Sequence, residues 1–176
     1  MIEQLAQKYA NVAPDSVPAR RAGSAAAFID AEGCLSIYAA LVRRSGLAED
    51  LDQDGPFTVV APSDQAFLAL GRLGLQWLLR DEELLVDVME FHVLIGEASF
   101  DTPARRTSLV RTLQGEAMTC ASSDGRGFLG HARVLRAVLV SNGVVCISDA
   151  VLSPRFGQAR GSSRSLRWQR FVTGKC

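Results

Sequence analysis

The sequence predicts an α+β fold, in which helices precede most of the strands. Residues 24–91 carry apolar side chains mainly at helical spacing, whereas residues 99–154 contain short apolar or alternating runs separated by turn residues. Between these patterns, an apolar run at 57–61 leads directly into a helix-capping signal. At 176 residues, the chain is long enough to bury a sizeable core as one domain.

Residues 1–23 are predicted to form an N-terminal helical extension and linker. Pro14 and Pro18 end a short amphipathic pattern, and residues 20–23 have the composition of a linker. The extension is either an additional helix packed on the domain or an arm that docks on a partner. Its apolar residues recur at helical spacing: Ile2, Leu5, Tyr9 and Val12.

Two further helices are predicted before the first strand. Ser24 can cap a helix that continues through Glu32 and ends at Gly33. A further helix ends at Gly46, and the acidic residues 48–55 are predicted to form turns. The buried face of this further helix is predicted to contain Leu35, Tyr38, Leu41 and Val42.

The segment from Phe57 to Phe67 is the centre of the predicted fold. Its first five residues are typical of a buried strand, and Pro62 ends the pattern because it has no amide to donate. Ser63 or Asp64 can then cap a helix. The apolar residues of that helix are Ala66, Phe67 and Leu70.

A later helix begins at Asp81 and leads into extended structure at 91–95. Asp81 is a capping residue, and the bulky apolar residues 77–79 precede it. The stripe predicted to be buried contains Leu84, Leu85, Val88 and Met89.

Strands dominate the second half of the chain. The predicted strands are 109–113, 117–121, 127–129, 133–140 and 144–152. Asn142-Gly143 is the strongest turn signal among them and indicates a tight hairpin.

Three segments, at 57–67, 91–96 and 141–154, together resemble the landmarks of the fasciclin family. They match its Thr-Val-Phe-Ala-Pro-type box, its Tyr-His segment and its Asn-Gly-Val-type box, and the resemblance covers residues 25–154. It implies a β-wedge of two sheets with several helices packed against it, in a domain spanning residues 24–154. Phe91 stands where the family usually has tyrosine, and Cys146 where it often has histidine.

The same resemblance implies a non-enzymatic interaction module for cell adhesion or for association with surface or matrix proteins. The expected partner is a protein or a cell-surface or matrix component, and weak self-association is a further expectation. An extracellular, periplasmic or cell-surface location is implied. The N-terminus lacks a signal-peptide pattern, so that a cytoplasmic location stays open.

Phe91, His92, Val93 and Leu94 are the interaction residues that the resemblance suggests. It also places Asp64 near His92 in the interior, which favours a structural hydrogen bond between them. The alternative is a catalytic arrangement of Ser63 as nucleophile, His92 as base and Asp64 as orienting group. This alternative is disfavoured because the serine and the aspartate are adjacent in sequence and no nucleophile-elbow pattern surrounds them.

No cofactor or metal site is predicted. Cys34, Cys120, Cys146 and Cys176 lack zinc-site spacing. Cys34 lies in a helical pattern and Cys120 and Cys146 in strand patterns, so these three are interpreted as buried free thiols. A Cys120–Cys146 disulfide between neighbouring strands stays open.

A second functional hypothesis is a carrier of an apolar small molecule, such as the carotenoids that some fasciclin-like proteins bind. The cleft of this carrier would be lined by residues such as Phe67, Trp77 and Phe100.

The charge of the chain is uneven although its formal net charge is zero. Residues 1–90 carry 7 basic and 14 acidic residues, whereas residues 91–176 carry 12 and 5. The tail at 155–176 has six basic and no acidic residues, and is interpreted as a terminus that lies on the acidic half or is poorly ordered. Contact of this tail with an anionic membrane is the weaker alternative, and specific nucleic-acid binding is not expected.

Overall fold

The computed structural model describes residues 23–96, 98, 108–123 and 125–154. The predicted N-terminal helix, Phe100, Cys176 and the basic tail lie outside these residues. Helices and strands both form, and the fold is α+β as predicted.

The helices are confined to the part of the chain before residue 92 among the described residues. A single 3-10 turn, Gly33–Leu35, separates the first two. The helices are α1 (Ala25–Ala31), α2 (Ser36–Arg44), α3 (Leu47–Asp50), α4 (Asp64–Ala69), α5 (Gly71–Arg80) and α6 (Glu82–Phe91).

In the described part of the chain, seven strands follow one continuous order, β2-β1-β7-β6-β5-β4-β3. The strands are β1 (Phe57–Pro62), β2 (Val93–Ile95), β3 (Ser108–Arg111), β4 (Ala117–Ser123), β5 (Arg126–Leu129), β6 (Ala132–Val140) and β7 (Gly143–Ser148). Strands β1 and β7 pair in parallel, whereas the other neighbours pair antiparallel.

Strand β6 joins the two halves of the wedge. Ala132 and Arg133 at its start pair with β5, and β6 pairs with β7 from Val134 onwards, with a register shift between Val134 and Arg136. The outer strands β2 and β3 approach each other at a bridge between Leu94 and Thr112. The strands therefore curve round towards closure, as a wedge requires.

Apolar side chains on the two faces of β1 and β7 enter different clusters. Val59 and Val145 belong to the cluster beneath the helices, whereas Val60 and Val144 belong to the cluster enclosed by the strands. Alternate residues of a strand point to opposite faces, and both faces are buried here. This explains why the sequence has continuous apolar runs at these two strands.

The residues predicted to cap the N-termini of three helices do so in the structure. The side chains of Ser24, Ser63 and Asp81 accept hydrogen bonds from the first turns of α1, α4 and α6. The four residues of the predicted α6 stripe are all buried. Helix α3 was missed because the acidic segment at 48–55 resembles a turn, and the last strand ends at Ser148 rather than at residue 152.

No single helix among the described residues is long and apolar enough to cross a membrane. The two segments Ala25–Ala31 and Gly33–Arg44 reach that length and composition only together, across a bend of 93°.

Candidate functional site

His92 lies at the C-terminal end of α6 and is fully buried. Its ring Nδ1 is 2.7 Å from the carbonyl oxygen of Val88, and the backbone amide of Leu152 donates to Nε2 over 3.0 Å. The His92 carbonyl accepts from the amide of Val60 at 2.8 Å. One residue thus connects α6, β1 and the segment that follows β7.

These hydrogen bonds fix the tautomer of the ring. A backbone amide can only donate, so Nε2 is unprotonated and the proton lies on Nδ1, which donates to Val88. Burial lowers the pKa of His92 to about 4. The ring is therefore neutral near pH 7, and both of its nitrogens are already engaged.

Asp64 does not form the predicted hydrogen bond with His92. Its Oδ1 accepts from the Ile37 amide at 2.8 Å, and its Oδ2 accepts from the Ser36 hydroxyl at 2.7 Å. Helix α2 begins after Leu35, which has no side chain that can cap it. Asp64 supplies that cap from another part of the chain, because the first amides of a helix lack partners within the helix.

Ser63 also has a structural role. It is 9% exposed, and its hydroxyl oxygen accepts from the Ala66 amide at 3.3 Å as the cap of α4. Ser63, Asp64 and His92 each have separate partners. The structure does not bring them together as nucleophile, orienting group and base.

The segment Phe91–Leu94 faces the interior. His92, Val93 and Leu94 are fully buried, and Phe91 is 7% exposed. The pairing of β2 with β1, and the bridge to Thr112, hold these side chains inside. Because His92, Val93 and Leu94 are fully buried, a partner does not reach their side chains in this structure, and the suggested interaction role of the segment stays a prediction.

Phe91 lines a surface cavity of about 350 Å³, which we call the Phe91 cavity. Leu109 on its rim is 69% exposed, and His131 is also exposed. Leu152 lines the same cavity, and its backbone amide donates a hydrogen bond to His92. The lining is mixed in polarity, and includes Phe91, Leu109, Glu116, Met118, His131 and Leu152.

Two of the residues suggested for an apolar carrier cleft, Phe67 and Trp77, lie elsewhere. Phe67 is buried in the core, with its ring centroid 6.5 Å from that of Tyr38, and Trp77 packs against the same cluster. Neither residue lines the Phe91 cavity. Phe100 lies outside the described residues.

The described cysteines are free thiols, so the Cys120–Cys146 disulfide does not form. Burial raises the pKa of Cys120 to about 11 and raises that of Cys146 further. Cys34 is exposed, contrary to the interpretation as a buried thiol, because it lies in the short 3-10 turn whose buried residue is Leu35. No group of three or more His, Cys, Asp or Glu residues in the described ranges is arranged to hold a metal ion.

Asn142 has a role that its sequence pattern did not reveal. Its side-chain oxygen accepts from the Ala25 amide, and its side-chain nitrogen donates to the carbonyls of Leu51 and Gln53, each at 2.8 Å. The sequence indicated only a tight turn here. The partners of Asn142 are 89 to 117 residues away, and no local signal identifies them.

A family model described as the Fasciclin domain matches residues 33–154. The chain is 37% identical over 123 residues to protein sll1483 of Synechocystis sp., an alignment that covers 68% of this chain and 67% of that protein. It is 33% identical over 101 residues to cell surface glycolipoprotein MPB83 of Mycobacterium bovis, covering 57% of this chain and 44% of that protein. The matched part thus spans less than half of MPB83.

Among solved structures, the fold is similar to a FAS1 domain pair from the insect cell adhesion molecule Fasciclin I. The TM-score is 0.54 at 15% identity, over 78% of this chain and 52% of that chain. At this identity the likeness concerns the fold alone.

Proposed function

This chain belongs to the fasciclin domain family, and from that membership we propose that it is a non-enzymatic interaction module of a cell surface or matrix. Its partner is a protein or another surface component. The observation that carries this proposal is the family match over residues 33–154. A cell-surface location is supported by the name of one relative, cell surface glycolipoprotein MPB83.

The non-enzymatic part of the proposal is supported by the hydrogen bonds of the three residues considered for catalysis. Ser63 and Asp64 cap two different helices, and His92 uses both ring nitrogens for the backbone. A general base needs a ring nitrogen within reach of the proton that it removes. His92 has none free.

We place the partner contact at the Phe91 cavity rather than at the buried side chains that follow Phe91. Leu109 on the rim is the most exposed large apolar residue of the described chain, at 69%. Covering such a side chain on binding stabilises a complex by about 1.5–3 kcal/mol. Glu116 and His131 in the same lining can accept or donate hydrogen bonds and so orient the partner.

Adhesion of beads that carry the full chain tests this function. The beads are presented to the surface of cells that express the protein, to a matrix deposited by those cells, and to beads carrying the same chain. We expect adhesion to at least one surface, and we expect Leu109→Ser to weaken it about tenfold because each 1.4 kcal/mol is a factor of ten in affinity.

Leu73→Ser is the matched control. Leu73 is 62% exposed on α5 and does not line the Phe91 cavity, so its loss should leave adhesion unchanged. Urea unfolding of both variants verifies that each remains folded. Absence of adhesion to all three surfaces would contradict the function, whereas adhesion that is equally sensitive to both substitutions would contradict only its placement at the Phe91 cavity.

A further inference from the structure

A second concave surface lies between α1, α2 and α3, on the helical side of the molecule. It has a volume of about 380 Å³, and we call it the helix groove. The space is open because several of the residues that line it are alanines, whose side chains are too small to fill it. Its floor includes Ala26, Ile29, Ala39, Val42 and Ala48.

The rim of the helix groove is acidic. Asp30, Glu49 and Asp52 contribute carboxylates, and Arg43 is the one basic residue among those that line it. Arg43 forms an ion pair with Asp30. An apolar floor with a net negative rim suits an amphipathic segment that carries basic residues at the border of its apolar face.

We propose that the helix groove is occupied by the N-terminal segment of the same chain, residues 1–22. This segment joins the described structure at Gly23, immediately before α1. The Ser24 hydroxyl, at that junction, donates to the Asp52 carboxylate on the rim over 2.5 Å. The point at which the segment joins the described structure therefore lies at the edge of the groove.

The composition of the segment fits the surface. Ile2, Leu5 and Val12 are part of its predicted apolar stripe, which matches the apolar floor. Lys8 is three residues after Leu5 and four before Val12, so a helix brings it to the edge of the stripe, towards the rim. Arg20 and Arg21 follow near the junction and can meet Asp52 there.

The length of the connection permits this arrangement. The ten residues 13–22 can span up to about 33–36 Å when extended. A helix of the eleven residues 2–12 is only about 17 Å long. The connection therefore allows the helix to fold back over the groove in the same molecule.

Zero-length cross-linking of the full chain with a carbodiimide tests the proposal, because it joins a lysine amine to a carboxylate that it contacts. The chain has two lysines, Lys8 and Lys175. We expect Lys8 to be linked to the rim carboxylates at least about tenfold more often than to Glu82 and Glu83, since tethering and docking raise the effective concentration. Lys175 provides the internal comparison for unspecific linkage.

Two variants test whether the preferential Lys8 links depend on the helix groove. Ala27 lines the groove and is exposed, so Ala27→Phe should occupy its opening and reduce the Lys8 links several-fold without removing a carboxylate. Ala69 is exposed on α4, and Ala69→Phe should leave the links unchanged. Equal effects of the two variants, or Lys8 links spread evenly over all exposed carboxylates, would overturn the proposal.

A mixture of isotope-labelled and unlabelled chains decides which molecule supplies the segment. Links within one isotopic species are expected, because the connection is long enough for the segment to reach its own groove. Links that join labelled to unlabelled chains as often as chance predicts would contradict docking within one molecule and would assign the groove to a second copy.

Discussion

His92 holds three parts of the chain together through hydrogen bonds rather than through charge. Its ring donates to Val88 and accepts from Leu152, and its carbonyl accepts from Val60. A protonated ring could no longer accept from the Leu152 amide, and it would place a charge in a fully buried site. The neutral state of one side chain is therefore part of what stabilises the fold.

The first prediction concerns the pH dependence of stability. Burial lowers the pKa of His92 to about 4 in the folded protein, whereas an unfolded histidine has a pKa near 6.5. The contribution of this residue is fully present above pH 6.5 and is lost as the pH falls towards 4. The difference corresponds to about 3 kcal/mol of unfolding free energy.

Urea unfolding between pH 7 and pH 4 measures this effect, with His92→Gln as the comparison. The glutamine amide can donate to Val88 and its carbonyl can accept from Leu152, but it does not titrate. We expect the wild-type protein to lose more stability than the variant over this range. Parallel pH profiles of the wild-type protein and the variant would refute the assignment.

Hydrogen bonds between sequence neighbours were predictable, and those between distant residues were not. Ser63 and Asp81 bond to amides three residues ahead, so the sequence identifies both caps. Asp64 bonds to Ile37, 27 residues earlier, and only the packing of α4 beside α2 reveals that. The exposure of Cys34 was not predicted either. Cys34 lies in a single 3-10 turn, which interrupts the helical pattern and turns Leu35 rather than Cys34 towards the core.

At the scale of the elements, the parallel contact of β1 with β7 decides the architecture. Phe57 pairs with Gly143, and Pro62 pairs with Ser148 at the other end. Gly143 adopts a φ of 151°, and a Cβ built on it would lie 2.0 Å from the carbonyl oxygen of Phe57. The strands can approach this closely only because residue 143 has no side chain.

The second prediction follows from that contact. We expect Gly143→Ala to lower the free energy of unfolding by more than about 3 kcal/mol, because the strands must separate or shift register. Gly33→Ala is the control, since its added methyl group meets no atom within 4 Å. Chemical denaturation measures both, and similar small effects at the two positions would contradict the steric explanation.

Sequence patterns predicted most of the strands but not how they are arranged. The Asn142-Gly143 signal correctly indicated the hairpin between β6 and β7, because a tight turn is a local structure. The parallel partner of β7 begins 86 residues earlier, at Phe57. No local pattern identifies this pairing, since hydrophobic period alone does not specify which strands pair.

At the scale of the whole molecule, the sheet separates two apolar clusters. One lies under the helices and the other is enclosed by the strands, where it contains Cys120 and Cys146. Both cysteines are fully buried, so reagents in solvent reach their thiols only when the wedge opens. Cysteine reactivity is therefore a measure of the integrity of the entire fold.

The third prediction uses this property. In a Cys176→Ser background, we expect one fast-reacting thiol per native chain, Cys34, because it is exposed. Cys120 and Cys146 should react slowly, with rates limited by opening of the fold. Ellman's reagent measures both phases, and addition of Cys34→Ser should abolish the fast one. A second fast thiol would mean that the enclosed cluster is accessible.

The hydrogen bonds of Asn142 have a consequence for the order in which the protein can acquire its structure during synthesis. This side chain joins the start of α1 to Leu51 and Gln53, and the neighbouring β7 supplies the parallel partner of β1. A nascent chain that ends before residue 142 lacks all of these connections. The helices that are synthesised first can therefore reach their final positions only after Asn142 and β7 have been synthesised.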